Sequence, residues 1–444
     1  MPQNAIYERM FKIFYVLGLV FIAFVFGAIS FNYQLLPTKP VRKAIMAAEA
    51  LYEQWNQPKF VNAKGAKKLG IGTVEKTIKN ARVYWDRDKA YSGYTLYTLR
   101  YSTSAYLVNM EGKVVHRWNL PFEKAFPNPT HVNALADGRV YLASAQIFAN
   151  GDILAIYASF GDTPYGYGMV RADKDSNILW TYNGNTHHDF YLDEANGNIY
   201  ALTHYFVDEK HRNAADLPYP MLVDFIEVLS PEGKLLEQIS LLDLFADSPY
   251  SSMMYHRTVE WKRPWDIFHT NTIMKLEPEM AAAFPMFKAG QVLLSIRNMD
   301  AIAVIDIEQK KVVWAFNGLW KEQHGAKFLP NGNISIYDNK GHIEGEQTYS
   351  RLLEFDPKTL SVAWQYAGSA KAPFYSSVYG RMQKLPNGNW LSVEPERTRI
   401  FEITKEGDVV WNYSLPTLVI NKEINNWVVD ARRYADDEAV FLSQ

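Results

Sequence analysis

Two short patterns of apolar and polar positions recur along most of this chain. One is a strand, an acidic or polar turn, and a second strand ending in tryptophan: AYLVNMEGKVVHRW to Trp118, MVRADKDSNILW to Trp180, AVIDIEQKKVVW to Trp314, LLEFDPKTLSVAW to Trp364 and IFEITKEGDVVW to Trp411. A sixth copy, FIEVLSPEGKLLEQI, lacks the tryptophan. The other pattern is a strand, a turn closing on glycine, and a strand: LADGRVYL, NGNIYAL, AGQVLLS, LPNGNISI and LPNGNWLSV. Apolar residues alternating around Asn-Gly or Asp-Gly mark antiparallel hairpins, because glycine and asparagine adopt the positive φ of tight turns. Two hairpins make four strands, the unit of one propeller blade. Six copies predict an all-β, six-bladed β-propeller over residues 78–444.

Four histidines occupy nearly the same place in successive repeats. His131 opens HVNALADGRVYL, His188 opens HDFYLDEANGNIYAL, His269 opens HTNTIMKL and His324 opens HGAKFLPNGNISIY. Histidine supplies only 10 of 444 residues, so this register is not expected by chance. Equivalent positions in a radial repeat lie equidistant from one axis. The four imidazoles are therefore candidates for a reactive centre. Alternation along an extended chain turns His187 away from His188, and His187 is read as structural. So are His116, His204, His211, His256 and His342. The repeated tryptophans are read as packing between blades.

The N-terminus is organised differently. Residues 13–31, IFYVLGLVFIAFVFGAISF, carry no charge, and about 20 such residues span a bilayer as a helix. The expected layout is a cytoplasmic N-terminus at 1–12, a transmembrane anchor at 13–36, a helical stalk and linker at 37–77, then the propeller. A cleaved signal is the rival reading, with Ala28-Ile29-Ser30 as its cleavage site. Either is compatible with export of the propeller across the inner membrane, and the periplasm is its expected location. Basic residues flank the run on both sides (Arg9 and Lys12 before it; Lys39, Arg42 and Lys43 after it), so charge does not orient it. Two inserts, 241–264 and 277–289, cover one mouth of the propeller channel, pack on their own blades or touch the membrane.

Composition removes several classes of function. With no cysteine, disulfides, thiolate metal sites and a cysteine nucleophile are excluded. A net charge of −2 does not point to a nucleic-acid partner. Three or four imidazoles could hold Zn²⁺ or Cu²⁺, but Arg297 beside them disfavours a dication and favours an anionic substrate. No metal and no cofactor is expected.

The segments THHDFYLDEANGNIYAL, DIFHTNTI followed by LLSIRNMDAIAVID, QHGAKFLPNGNISIYDN, and RIFEIT with its following GDVVW together resemble the bacterial aryl-sulfate sulfotransferases. The resemblance runs from Gly93 to Leu415. It implies a six-bladed periplasmic propeller that moves a sulfuryl group from an aryl sulfate to a phenol without a nucleotide donor. It also implies a ping-pong route through a sulfated histidine. By motif, the nucleophile matches His324, its supporting groups match His188, His269 and Arg297, and Asn271 is a further contact. Better-known members have a cleaved signal, a cysteine pair and a separate N-terminal β domain; here an apparent anchor, no cysteine, and a short helix and linker ahead of the propeller are expected instead.

The residue chemistry is consistent with that implication. A neutral imidazole is a competent nucleophile near pH 7. A guanidinium offers a planar fork to sulfuryl oxygens. His188 or His269 could protonate the departing phenolate and then deprotonate the acceptor. Arg297 and Asp300 are three residues apart, on opposite faces of a strand, so no ion pair between them is expected. Phe268, Phe374, Tyr375 and Tyr379 flank equivalent positions; Tyr379 is the preferred substrate contact and the others are read as core. His131 is either a substrate contact or one wall of the channel. The expected partners are a small aryl sulfate and a phenol, the inner membrane, and protein partners if the propeller serves a membrane complex. A non-catalytic, membrane-anchored scaffold subunit is the alternative function.

Overall fold

The computed structural model describes residues 2–32, 77–132, 139–255, 263–339, 349–369, 372–420, 423–424 and 426–443. Residues 37–76 of the expected stalk and linker, together with His256, Trp261 and His342, lie outside them. The chain divides into two compact units, Met1–Val61 and Asn62–Gln444.

In the first unit the described element is the helix Pro2–Asn32, which contains the uncharged run. Its apolar side chains are exposed along the described stretch, from Ile13 and Phe14 to Phe26 and Ile29. Among the described residues no helix is long and apolar enough to cross a membrane. The side chains described in this helix cover only 12–27 and 29.

The second unit is all-β, with six sheets of four or five strands, the six blades. Blade 2 runs from the inner strand Val140–Ile147 through Ile153–Ser159 and Gly166–Ala172 to the outer Ile178–Tyr182. Blades 3, 4 and 5 repeat this order from inner strands Thr186–Leu192, Thr270–Lys275 and His324–Phe328, and blade 6 from Met382–Lys384. Blade 1 is shared between the two ends of the propeller. Its inner strand, Val428–Tyr434, pairs antiparallel with Tyr94–Leu99, matching Tyr434 to Tyr94. Arg82–Trp85 returns the exchange as an extra outer strand on blade 6, with Trp85 opposite Trp411. Closure of this kind leaves no long open sheet edge.

Apolar residues of the inner and middle strands fill the spaces between neighbouring blades. Leu202, Ile226, Ile273 and Leu294 join blades 3 and 4, and Leu293, Val304, Phe328 and Ile336 join blades 4 and 5. Four of the repeated tryptophans staple adjacent blades. Their indole N–H groups donate to backbone carbonyls on the next blade: Trp118 to Gly151 (3.0 Å), Trp180 to Pro231 (3.1 Å), Trp364 to Lys405 (2.7 Å) and Trp411 to Met110 (2.9 Å). Trp411 is fully buried at the closing junction, so Trp411→Ala leaves both a cavity and a bare carbonyl. Its expected cost is about 3–5 kcal/mol. Trp364 is partly exposed, and Trp364→Ala costs less than half of that. Urea unfolding midpoints of the two variants check the difference.

The described parts of both inserts pack against blades, the first between blades 3 and 4 and the second from blade 4 onto blade 5. Ser240 caps the helix Leu241–Ala246, which sinks Leu241, Leu242 and Phe245 into the core with Met254. In the second insert Phe284 and Phe287 close over Phe328.

Candidate active site

The inner strands deviate from regular pleating at one end, and this deviation builds the site. Pairing slips between Ala201 and Thr203 opposite His187–Asp189, between Thr270 and Thr272, and between His324 and Lys327. At the same level the backbone is left-handed at His188 (φ 56°), His269 (φ 51°), Gly325 (φ 65°) and Tyr379 (φ 60°). A bulge inserts a residue, bends the strand and re-aims a side chain. A non-glycine residue held at positive φ carries roughly 1–3 kcal/mol of strain, a cost that clusters at functional sites.

The result is a histidine cluster around Tyr165. The ring of His188 lies 5.0 Å from that of His269 and 6.5 Å from that of His324, and Tyr165 sits 5.3 Å and 5.2 Å from His188 and His269. A pocket opens beside them, lined by His188, His324, Asn271, Tyr165, Tyr379 and Arg381 among others. Four of the predicted residues, His188, His269, His324 and Asn271, therefore come together, and Tyr379 faces them across the pocket.

His324 is 6% exposed. Its Nδ1 lies 2.7 Å from Asn339 Oδ1. The Asn339 amide N–H groups are committed to the carbonyls of Tyr379 and Ser376 (2.6 and 3.2 Å), so Oδ1 must accept and Nδ1 must carry the proton. That leaves Nε2 with its lone pair. Burial, reinforced by Arg297, pushes the imidazole down to about 3, so the ring is neutral at physiological pH. His188 is lowered well below its usual value by burial and by His269, His324, His204 and Arg297. His269 donates from Nδ1 to Asp266 Oδ2 at 2.7 Å. Asn271 donates to the Gln323 carbonyl (2.7 Å) and accepts from Thr272, whose Oγ1 also takes the Gly325 N–H. Asn271 thus ties blade 4 to the chain entering His324.

Three expectations need correction. His187 does not turn away from His188: their Nδ1 atoms are 2.8 Å apart, because the bulge and the left-handed His188 break the period-two alternation. Arg297 is not on a strand but in a single 3₁₀ turn, Arg297–Met299. It is not paired with Asp300; its guanidinium bonds Glu322 Oε2 (2.6 Å) and Asn298 Oδ1 (2.8 Å), so part of its fork is already committed. His131 does not join the cluster. It bonds the Tyr167 carbonyl (3.2 Å), packs on Phe126 and lines a separate pocket with Thr181 and Asn183. The 133–138 stretch after it lies outside the described residues.

The remaining histidines and aromatics sort cleanly. His116 bonds the Lys174 carbonyl against Trp118, and His211 caps a 3₁₀ turn. Phe268 and Phe374 are buried core. Tyr379 bonds Tyr141 through their hydroxyls (2.9 Å).

Sequence reasoning missed Tyr165, which sits in a loop with no repeat counterpart. It also missed a charged hub of Asp189, Arg381, Arg432 and Lys327, in which Asp189 receives all three cations within 3.3 Å. Arg381 additionally grips Asp430 at 2.6 Å. Despite burial, these cations hold the Asp189 carboxyl well below the usual carboxylate range. Burial pushes Lys327 down to about 8. Arg381 follows Gly380, the blade 6 counterpart of the histidine position, and that register was the available signal.

Residues 144–415, more than half of the chain, match the family model described as Arylsulfotransferase (ASST). No curated protein sequence matches. Similar solved structures include a protein of unknown function from Bacteroides caccae, 12% identical, with a TM-score of 0.47 and coverage of 77% of this chain and 98% of that one. They also include the WD40 β-propeller domain of Doa1, 10% identical, TM-score 0.37, covering 75% and 77%. Virginiamycin B lyase from Staphylococcus aureus is 11% identical, TM-score 0.35, covering 62% and 69%.

Proposed function

The chain belongs to the arylsulfotransferase family, which supports sulfuryl transfer in general, and on that premise we propose a ping-pong transfer from an aryl sulfate ester to a phenol through a sulfohistidine at His324. The observation that carries this reading is the fixed tautomer of His324: protonated at Nδ1 by its bond to Asn339, neutral, and lining the pocket with Nε2 unprotonated. A neutral imidazole nitrogen is the nucleophile that attack on sulfur requires.

In the first half-reaction Nε2 of His324 attacks sulfur, the N–S bond forms and the S–O bond to the aryl group breaks. The departing phenolate, with an ordinary pKa near 10, takes a proton from His188 or His269. In the second half-reaction that same histidine removes the proton from the acceptor phenol as the sulfuryl group leaves His324. Arg297 sits close enough for its charge to bear on both His324 and His188. Its remaining N–H groups stabilise the sulfuryl oxygens as their charge grows. Asn271 supplies an amide at the same wall, and Tyr379 with Tyr141 offers an aromatic face to the acceptor. No cofactor enters these steps. The helix Pro2–Asn32, apolar over its described stretch, supports an anchored protein in the inner membrane with the propeller in the periplasm.

The deciding experiment omits the acceptor. Mixed with excess nitrophenyl sulfate alone, the full chain is expected to release one equivalent of nitrophenol in a burst and then stall. Mass spectrometry should place one sulfuryl group on the peptide containing His324. Steady release without a burst, or a label on another residue, would refute the covalent route at His324.

A further inference from the structure

Behind His188, away from the pocket wall, lies a second set of side chains that the mechanism has not used. His187, His204 and Asp224 are each fully buried. His187 Nε2, His204 Nδ1 and Asp224 Oδ1 have no hydrogen-bond partner among the described residues. One ligating atom from each lies within 4.8 Å of the others. Buried polar atoms left without partners are rare and costly, so three in one place call for a function.

Two chemistries fit three such atoms, a divalent cation or a shared proton. The hydrogen-bond pattern decides between them. The backbone N–H of Gly166 donates to His204 Nε2 at 3.0 Å. A backbone amide can only donate, so Nε2 holds the lone pair and the proton of the neutral ring is on Nδ1. An N–H cannot ligate a metal, and ligating histidines instead donate their other nitrogen to an acceptor. The rings of His187 and His204 are also stacked, at 4.2 Å and 23°, rather than fanned about a common centre.

The proton reading uses the contacts of Asp224 and His187. Asp224 Oδ2 accepts the Thr270 N–H at 2.6 Å, which leaves Oδ1 to carry a proton. Oδ1 faces His187 Nε2 at 3.7 Å. The opposite nitrogen of His187 meets His188 Nδ1 at 2.8 Å. Resting on the sulfuryl-transfer reading above, we propose that Asp224 and His187 form a buried proton relay that makes His188 the general acid and base of the reaction. Burial, with the nearby Asp266, raises the Asp224 carboxyl to about 8, which keeps its proton available at neutral pH.

The proton balance is complete. As the S–O bond breaks, the phenolate oxygen takes the Nε2 proton of His188. Nδ1 of His188 takes the Nδ1 proton of His187, and Nε2 of His187, 3.7 Å from Asp224 Oδ1 at rest, closes to hydrogen-bond distance and takes the carboxyl proton. The negative charge of the leaving group ends on Asp224, and neither ring is left charged. With the acceptor phenol the flow reverses, and Asp224 regains its proton as the sulfuryl group leaves His324. Asp224 and His187 touch no substrate; they are positioning residues that act through His188.

The test compares two donors, nitrophenyl sulfate, whose leaving group needs little protonation, and phenyl sulfate, whose leaving group needs much. Full-length wild type, Asp224→Asn and His187→Gln are assayed, the last keeping an N–H donor toward His188 without passing a proton on. In both variants the burst rate with phenyl sulfate should fall about 10²-fold, while that with nitrophenyl sulfate stays within about threefold. Equal losses for both donors would reduce the pair to a structural role and overturn the relay. A second reading needs no activity: ¹⁵N-histidine NMR of wild type should find Nδ1 protonated on His187 and bare on His188. A proton on His188 Nδ1, or one equivalent of divalent metal lost in His204→Ala, also overturns it. Loss of transfer in wild type with the expected tautomers would sink the sulfuryl-transfer reading and leave the proton network standing.

Discussion

His324→Ala is expected to lower kcat for sulfuryl transfer from nitrophenyl sulfate to phenol by roughly 10⁴- to 10⁶-fold, the scale seen when a covalent nucleophile is removed. The size follows from the route. Without Nε2 of His324 no N–S bond forms, and the two half-reactions merge into a direct transfer that needs both phenols bound at once. The other groups stay in place, since Arg297 is held by Glu322 and Asn298 and His269 by Asp266. Donor binding should therefore change far less than kcat. Removing the imidazole also leaves room in the pocket, so added imidazole should restore part of the burst but not the label on the protein. Kinetics with and without imidazole check this. A variant that keeps its burst and its protein-bound sulfuryl group would move the nucleophile to another residue.

The second large effect is on stability and has two limbs. His187, His188, His204 and His324 all have folded-state values below the ordinary histidine value, burial being the first cause in each. Between pH 6.5 and their folded values the unfolded chain binds protons that the fold refuses. Stability from these groups is therefore fully present above pH 6.5 and is lost as pH falls. Asp224 has the opposite sign, being raised from the carboxylate range to about 8. In the same acid window the fold holds one proton the unfolded chain has released, which offsets one histidine. Three net protons give a slope of about 4 kcal/mol per pH unit, at 1.36 kcal/mol per proton per unit. Between about pH 7 and 8 Asp224 outweighs the histidines, and stability falls by at most about 1.4 kcal/mol per unit as pH rises. Unfolding midpoints should peak near pH 7, where the histidine and Asp224 contributions to the slope cancel, and drop steeply on the acid side. In Asp224→Asn the alkaline limb should disappear while the acid limb steepens. A flat profile between pH 5 and 8 would mean that the cluster is hydrated and the histidines titrate normally.

How far the sequence reaches differs between fold and site. The blades are legible because they rest on local chemistry. Asn-Gly and Asp-Gly turns, period-two alternation and a terminal tryptophan each act within about a dozen residues. The histidine cluster was legible because repeat register converts sequence position into radius, and His188, His269 and His324 do meet. Register failed for His131, which shares the position but bonds the Tyr167 carbonyl on its own blade. It also misplaced His187, because a bulge shifts the side-chain phase without any glycine or proline to announce it. Tyr165 and Asn339 act from segments outside the repeat.

What the amino-acid order determines by itself is therefore the six-fold repeat, the packing role of the tryptophans and the ring of candidate groups. The repeat and its turns depend on interactions between near neighbours, and the positions of the tryptophans and histidines follow from its register. The tertiary structure alone decides which ring nitrogen of His324 carries the proton, that Arg297 rests on Glu322, and that Asp224 stands behind His187 and His188. Those outcomes depend on contacts between blades far apart in sequence, and on a dry interior that sets the charge of every group within it.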